Sequence, residues 1–237
     1  MILKIHLKKI LFFLFIIPNS LFSQNESNLT YGLKAGIISS KISNLPEMII
    51  GRDNTLSTYE ITSDGFTGAE AGFFINFKLP NSRVSIQPEI LYRNSGDNIN
   101  YKNSITGKEY KLTFDYSYLV IGALYKIYPL KGLNIALGSF YSINLNPSNI
   151  EYTSNEANGQ YDITTRQFFR DGIEGKNDFS ISAGLGYEFQ NSLHLDFRYY
   201  FGISDMIKNK ESSFKFIENT NRNNILSFSI GYSFHNW

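Results

Sequence analysis

Cysteine is absent from the 237 residues, which excludes disulfides, a lipoprotein anchor, thiol catalysis and thiolate metal sites, and leaves stability to packing and backbone pairing. Long apolar runs are scarce too. Beyond the first two dozen residues no stretch of about 18 apolar residues occurs, so nothing there could cross a bilayer as a helix. Three histidines offer little for histidine chemistry, and 22 basic against 21 acidic residues exclude a strongly basic nucleic-acid binder. Aromatics, by contrast, are plentiful, with sixteen Tyr and twenty Phe in a chain whose mean hydropathy is slightly polar at −0.20. A helical membrane protein would be far more apolar, whereas a barrel with one wet face combines these two properties.

Lys4, Lys8 and Lys9 precede an unbroken apolar run from Ile10 to Ile17, followed by Pro18, Asn19 and Ser20. That order is the pattern of a signal peptide, and the run is too short to span as a helix. Residues 1–23 are therefore predicted to direct export and to be cut after Ser23, leaving 24–237 as one β-domain. The cut would remove three lysines and no acid, moving the formal charge from +1 to −2.

Apolar residues then alternate with polar or small ones at the two-residue period of a strand. From Asp178 to Gln190, Phe179, Ile181, Ala183, Leu185, Tyr187 and Phe189 share one face, against Ser180, Ser182, Gly184, Gly186 and Glu188. Leu193 to Phe201 repeats the pattern. Further strands are read near Leu29–Ile38, Phe66–Leu79, Arg83–Asn94, Tyr116–Tyr128, Leu133–Asn144 and Asn224–Phe234, making eight. Before the fourth, apolar residues hold the even positions from Tyr110 to Tyr118, then fill both faces from Leu119 to Ile121. This predicts a bulge or a strand start near Tyr116, with an apolar patch inside the barrel as the alternative.

Connections alternate strictly in length. Short turns fall at Pro80–Ser82, Pro129–Gly132 and Gln190–Ser192; long polar links fall at Ser39–Gly65, Ser95 to about Asp115, Pro147–Asn177 and Gly202–Asn223. Together these predict an all-β, eight-stranded antiparallel up-and-down transmembrane β-barrel of the bacterial outer membrane, with short periplasmic turns and four long extracellular loops. A soluble sandwich would have no reason to sort its links in this way.

Five segments carry a family resemblance: Gly32-Leu33-Lys34-Ala35-Gly36, Gln87-Pro88-Glu89-Ile90-Leu91-Tyr92, the run Tyr118 to Lys126, the run Arg198 to Asp205, and Gly231-Tyr232-Ser233-Phe234. In this order, behind a signal peptide, they resemble the PorT-like outer-membrane β-barrel family. Two departures are that Val120 and Gly122 stand where such families often carry an acid and a proline, and that the chain continues three residues past Phe234. The resemblance implies location and architecture, and it permits a role as an accessory of type IX-like secretion.

If the first hairpin closes at Asn81-Ser82, Glu70 faces Arg93 on the inward side, Asn76 faces Gln87 and Lys78 faces Ser85. If the turn Gln190–Ser192 is three residues long, Glu188 faces His194, Gly186 faces Asp196 and Gly184 faces Arg198. Glu70, Glu89, Arg93, Glu188, His194, Asp196 and Arg198 thus form a predicted polar network in the lumen. It could bind a ligand or relay protons, but the interior of eight strands is just wide enough for its own side chains, so a structural plug is the expectation. Glu188 beside His194 would supply two members of a hydrolase triad for a lipid-modifying enzyme, yet no nucleophile-bearing motif marks a third. Asp171, Glu174, Asn177 and Asp178 lack the ligand alternation of a calcium loop and read as solvated. Tyr31, Tyr92, Tyr125, Tyr187, Tyr199, Tyr232 and Trp237 read as interfacial girdles rather than a carbohydrate platform.

No motif calls for a cofactor or a metal. The expected role is a non-enzymatic anchor whose loops bind. Its expected partners are outer-membrane lipid and lipopolysaccharide, the barrel-assembly machinery during biogenesis, and an envelope or secretion protein or an extracellular ligand.

Overall fold

A computed structural model describes residues 29–43, 59–155, 166–167, 170–210 and 221–234. The predicted signal peptide, His235 and Trp237 lie outside them. Eight strands close a ring: β1 (Leu29–Ile42), β3 (Phe66–Lys78), β4 (Val84–Asn103), β5 (Glu109–Ile127), β6 (Leu133–Asn144), β9 (Asp178–Glu188), β10 (Leu193–Gly202) and β12 (Asn223–Phe234). Each pairs antiparallel with its neighbour in the chain, and the first strand closes on the last through the register Tyr31↔Phe234 to Ile42↔Asn223. Four shorter strands lie in the links: β2 (Tyr59–Ser63), β7 (Ile150–Ser154), β8 (Ile173–Gly175) and β11 (Ile207–Asn209).

Strand parity decides which side chains fill the ring. On β12, Asn223, Ile225, Ser227, Ser229 and Ser233 are buried, while Leu226, Phe228, Ile230, Tyr232 and Phe234 are exposed outward. This exposed apolar belt runs around every ring strand, so the molecule is a sheet turned inside out relative to a soluble barrel. The belt includes Tyr31, Tyr92, Tyr125, Tyr187 and Tyr232, all exposed, with Tyr199 half-buried against Phe201.

Both predicted hairpin registers hold. Glu70 pairs with Arg93 and Lys78 with Ser85, and the offset is the same on either side of Pro88, which has no N–H to donate. In the other hairpin, Glu188 pairs with His194, Gly186 with Asp196 and Gly184 with Arg198. The tight turns rest on left-handed residues at Asn81 (φ 54°), Gly132 (φ 82°) and Ser192 (φ 69°).

Two expectations need correction. The segment Ser95–Asp115 is not a loop: β4 runs for twenty residues and β5 for nineteen, paired without interruption from Val84↔Ile127 to Lys102↔Glu109. There is no bulge near Tyr116 and no strand start there either, since parity continues through it and Leu112, Phe114, Tyr116, Tyr118 and Val120 all point inward. The alternative, an apolar patch inside the barrel, is what the chain builds. Polar residues on the outward face made the outer half of this hairpin look like a loop. Outward of Tyr92↔Leu119 the pairs read Asn94↔Ser117, Asn98↔Thr113, Asn100↔Lys111 and Lys102↔Glu109.

About nine residues of β4 thus lie in the apolar belt, the length of a membrane-spanning strand, and the next ten extend the hairpin by about 30 Å. Outside the belt, β2 pairs with β4 and β7 with β5, forming a four-stranded antiparallel sheet in the order β2-β4-β5-β7.

Candidate functional site

The half of the lumen nearest the short turns is ionic. Arg93 donates from Nε and Nη2 to Glu70 Oε2 at 2.9 and 2.7 Å, and Ser227 Oγ donates to Glu70 Oε1 at 2.6 Å. Arg198 Nη1 lies 2.9 and 2.8 Å from the two oxygens of Glu89, and Nη2 lies 2.9 Å from Asp196 Oδ2. Lys34 Nζ stands at ion-pair distance from all three carboxylates, 3.7 Å from Glu89 and 3.9 Å from Glu70 and Asp196. Three cations balance three anions, and the side chains of Lys34, Arg93, Arg198, Glu70 and Glu89 are each at most 1% exposed. Such charges are tolerated in a dry interior only because each has a partner.

The geometry closes the lumen. Strands β4 and β10 stand opposite each other in the ring, so the Arg198–Glu89 pair crosses its diameter. Arg93 reaches the same way, its guanidinium lying 4.1 Å from the centre of the Tyr200 ring. Glycines make room for these long side chains: a Cβ at Gly184 would come within 2.8 Å of Arg198 Cγ, and one at Gly186 within 2.6 Å of Asp196 Oδ1.

At the turn end, Glu188 accepts from the Tyr128 hydroxyl at 2.6 Å and pairs with Lys126 and Lys78, each at 3.3 Å. His194 Nε2 contacts Ser233 Oγ at 2.5 Å, while its Nδ1 lies 3.8 Å from Glu188 Oε1. A serine, a histidine and a glutamate therefore meet, but the His–Glu separation is too long for the hydrogen bond that orients a triad, and His194 and Ser233 are buried at 7% and 3% exposure.

All seven lumen residues named from the sequence are brought together. Sequence reasoning missed Lys34, Lys126, Ser227 and Ser233, although parity alone places each on the inward face. Tight hairpins bring together the charges that pairing predicts, whereas these four reach partners across long links or on strands further along the chain.

The other half of the lumen is apolar. Ile38, Ile42, Ile99, Leu112, Phe114, Tyr116, Tyr118, Ile150 and Ile225 form a buried cluster with Ile173, Met206 and Ile207 from the links. The β8–β11 pair covers the mouth, with Gly175 set so closely over Tyr116 that a Cβ there would meet the ring at 2.7 Å. Asp97 ties the corner by accepting from the amides of Ile42, Gly65 and Asn98 and from Ser63 Oγ, all within 3.0 Å.

The residues weighed for calcium go to separate partners. Asp171 accepts from Gln167, Glu174 pairs with Lys208 and Lys210, Asn177 donates to the Tyr141 hydroxyl, and Asp178 accepts from Ser204. The hydrogen bond from Lys208 holds the Glu174 carboxyl below the usual carboxylate range, with Lys210 adding to it.

The outward face of the β2-β4-β5-β7 sheet is polar and shallowly dished, with an open cleft of about 570 Å³ lined by Glu60, Thr62, Asn100, Lys102, Lys111 and Thr153 among others.

The family model for the outer membrane protein beta-barrel domain matches residues 22–208. No curated protein matches the chain. Solved structures similar to it include neisserial surface protein A, at 12% identity over 89% of this chain and 100% of that one, with a TM-score of 0.39. OprG of Pseudomonas aeruginosa is similar at 12% identity over 88% and 95%, with a TM-score of 0.41. Ail of Yersinia pestis, solved in complex with the heparin analogue sucrose octasulfate, is similar at 12% over 87% and 99%, with a TM-score of 0.32.

Proposed function

The chain belongs to the outer membrane protein beta-barrel domain family, and from that premise we propose that it is a non-enzymatic anchor which carries a binding surface on the long-link side of the membrane. The observation that carries this reading is the filled lumen: ion pairs cross one half, aromatic and aliphatic side chains pack the other, and the β8–β11 pair caps the mouth. The barrel is then a rigid support, and recognition falls to the sheet and links beyond the apolar belt. In this reading the long links face outside and the turns face the periplasm. The signal peptide is cut after Ser23, lipopolysaccharide surrounds the upper belt, and the barrel-assembly machinery inserts the chain.

The PorT-like resemblance is the finer reading. It rests on the five segments named above, and would make the surface a dock for an envelope secretion component rather than for an external ligand.

Photo-crosslinking in cells tests the proposal. A photoreactive residue at Asn100, in the cleft of the outer sheet, is expected to trap a discrete partner, protein or glycan, whereas one at Ile135 in the apolar belt is expected to trap lipid alone. The same lipid-only pattern at both positions would contradict a binding role for the sheet. Retention of any lipid-modifying activity in His194→Ala would remove the enzymatic alternative.

A further inference from the structure

The rim at the short turns carries charge that the lumen network does not consume. Lys78, Arg83 and Lys131 gather there, and the one carboxylate of that rim among the described residues, Glu188, already takes Lys78 and the buried Lys126. No residue in 79–83, 128–132 or 189–193 is acidic. Arg83 uses one N–H on the Pro129 carbonyl, at 3.4 Å. Lys78 keeps about half of its side chain exposed and lies 5.1 Å from the centre of the Tyr128 ring, and Lys131 is exposed.

The turn 128–132 divides two open clefts of about 470 and 630 Å³. Lys78, Tyr128, Lys131 and Gly132 line both; Arg83 completes one, and Tyr187 and Phe189 complete the other. Apolar surface sits directly beside the cations. Leu130 is 67% exposed on the turn, and Tyr187 and Phe189 stand edge-to-face at 4.8 Å, both exposed at the margin of the apolar belt. A soluble anion would use the lysines and arginine alone. An exposed leucine next to a lysine, at the edge of a surface that faces acyl chains, suits an amphiphile.

We propose that this rim binds the headgroup of an anionic phospholipid. Lys78, Arg83 and Lys131 take the phosphodiester, and Leu130, Tyr187 and Phe189 take the first methylenes of the chains. The assignment rests on the reading of the barrel as membrane-embedded. Each cation at such an interface contributes about fivefold in affinity for an anionic lipid.

The test uses the full chain isolated from the outer membrane in detergent and titrated with phosphatidylglycerol, phosphatidylcholine of the same chains, or inorganic phosphate. Lipid adducts are counted by native mass spectrometry, and unboiled and boiled samples are compared on a gel. Phosphatidylglycerol is expected to bind at least about fivefold more tightly than phosphatidylcholine. The triple variant Lys78→Gln, Arg83→Gln, Lys131→Gln is expected to lose that preference while keeping its gel shift, and inorganic phosphate is expected not to compete at equal concentration. Should the triple variant lose its shift, Lys131→Gln alone carries the same comparison, with an expected loss of about fivefold. Equal binding of the two lipids, an undiminished preference in the variants, or displacement by inorganic phosphate mole for mole would overturn the proposal and leave the barrel standing. A native protein without a gel shift would overturn both.

Discussion

Below the level of Tyr200 the lumen is filled by ion pairs, three cations against three carboxylates with Glu188 and Lys126 beneath them, whereas above it the same strands are filled by Phe114, Tyr116, Ile99 and their neighbours. Both fillings set side chains across the lumen, but they differ in what they demand. Ion pairs are directional, and a partner lost leaves a buried charge; apolar packing is tolerant, and a side chain trimmed leaves a cavity. The ionic half sits inside the apolar belt, so the strands there carry ion pairs on one side and apolar side chains on the other. The apolar half extends beyond the belt along β4 and β5, where the outward face is polar and the arrangement is that of an ordinary soluble sheet.

The comparison breaks most sharply at Arg198. Arg198→Met leaves Glu89 and Asp196 without the guanidinium that hydrogen-bonds both, with only Lys34 nearby at 3.7 and 3.9 Å, and is expected to destabilise the barrel by about 3–5 kcal/mol, read as a fall in the urea midpoint of the folded band on unboiled gels. In the other half, Leu112→Ala is expected to cost about 2–5 kcal/mol through the cavity it leaves, with the loss seen first as faster proteolysis of the outer sheet. Removing a charged pair together sharpens the contrast: Glu70→Leu combined with Arg93→Met is expected to cost less than Arg93→Met alone, because the single change strands a carboxylate and the double change does not. A double variant as unstable as the sum of its singles would contradict this.

The smallest expected effect lies in the cap. Lys208 and Lys210 lower the folded-state pKa of Glu174, so its contribution is present above the ordinary carboxyl value of 4.5 and is lost as pH falls through the lower folded value. Acidification below that point is expected to speed amide exchange in the β8–β11 pair, and Glu174→Gln is expected to remove this pH dependence at the cost of faster exchange at neutral pH.

The barrel was legible because its code is local. Period-two alternation marks each strand, and a three-residue turn sets the register that places Glu188 opposite His194. The outer sheet was not legible for the same reason: once the outward face leaves the belt, Asn94, Asn98, Asn100 and Lys102 are the residues of a loop by composition, although Ile99 and Leu112 keep the inward alternation. At the candidate site, six of the seven charged or titratable residues follow from hairpin pairing, and Glu89, opposite Phe74, from strand parity. Lys34 and Ser227 could not, because they meet Glu70 only after β1 has closed against both β3 and β12. Ring closure is a long-range event with no short-range signature.

The account depends on the lumen being a plug. Conductance of the purified protein in planar lipid bilayers tests this most directly: a filled, ion-paired interior predicts a silent membrane in which insertion is verified by the gel shift, and a stable, voltage-independent open channel from the same preparation would contradict it.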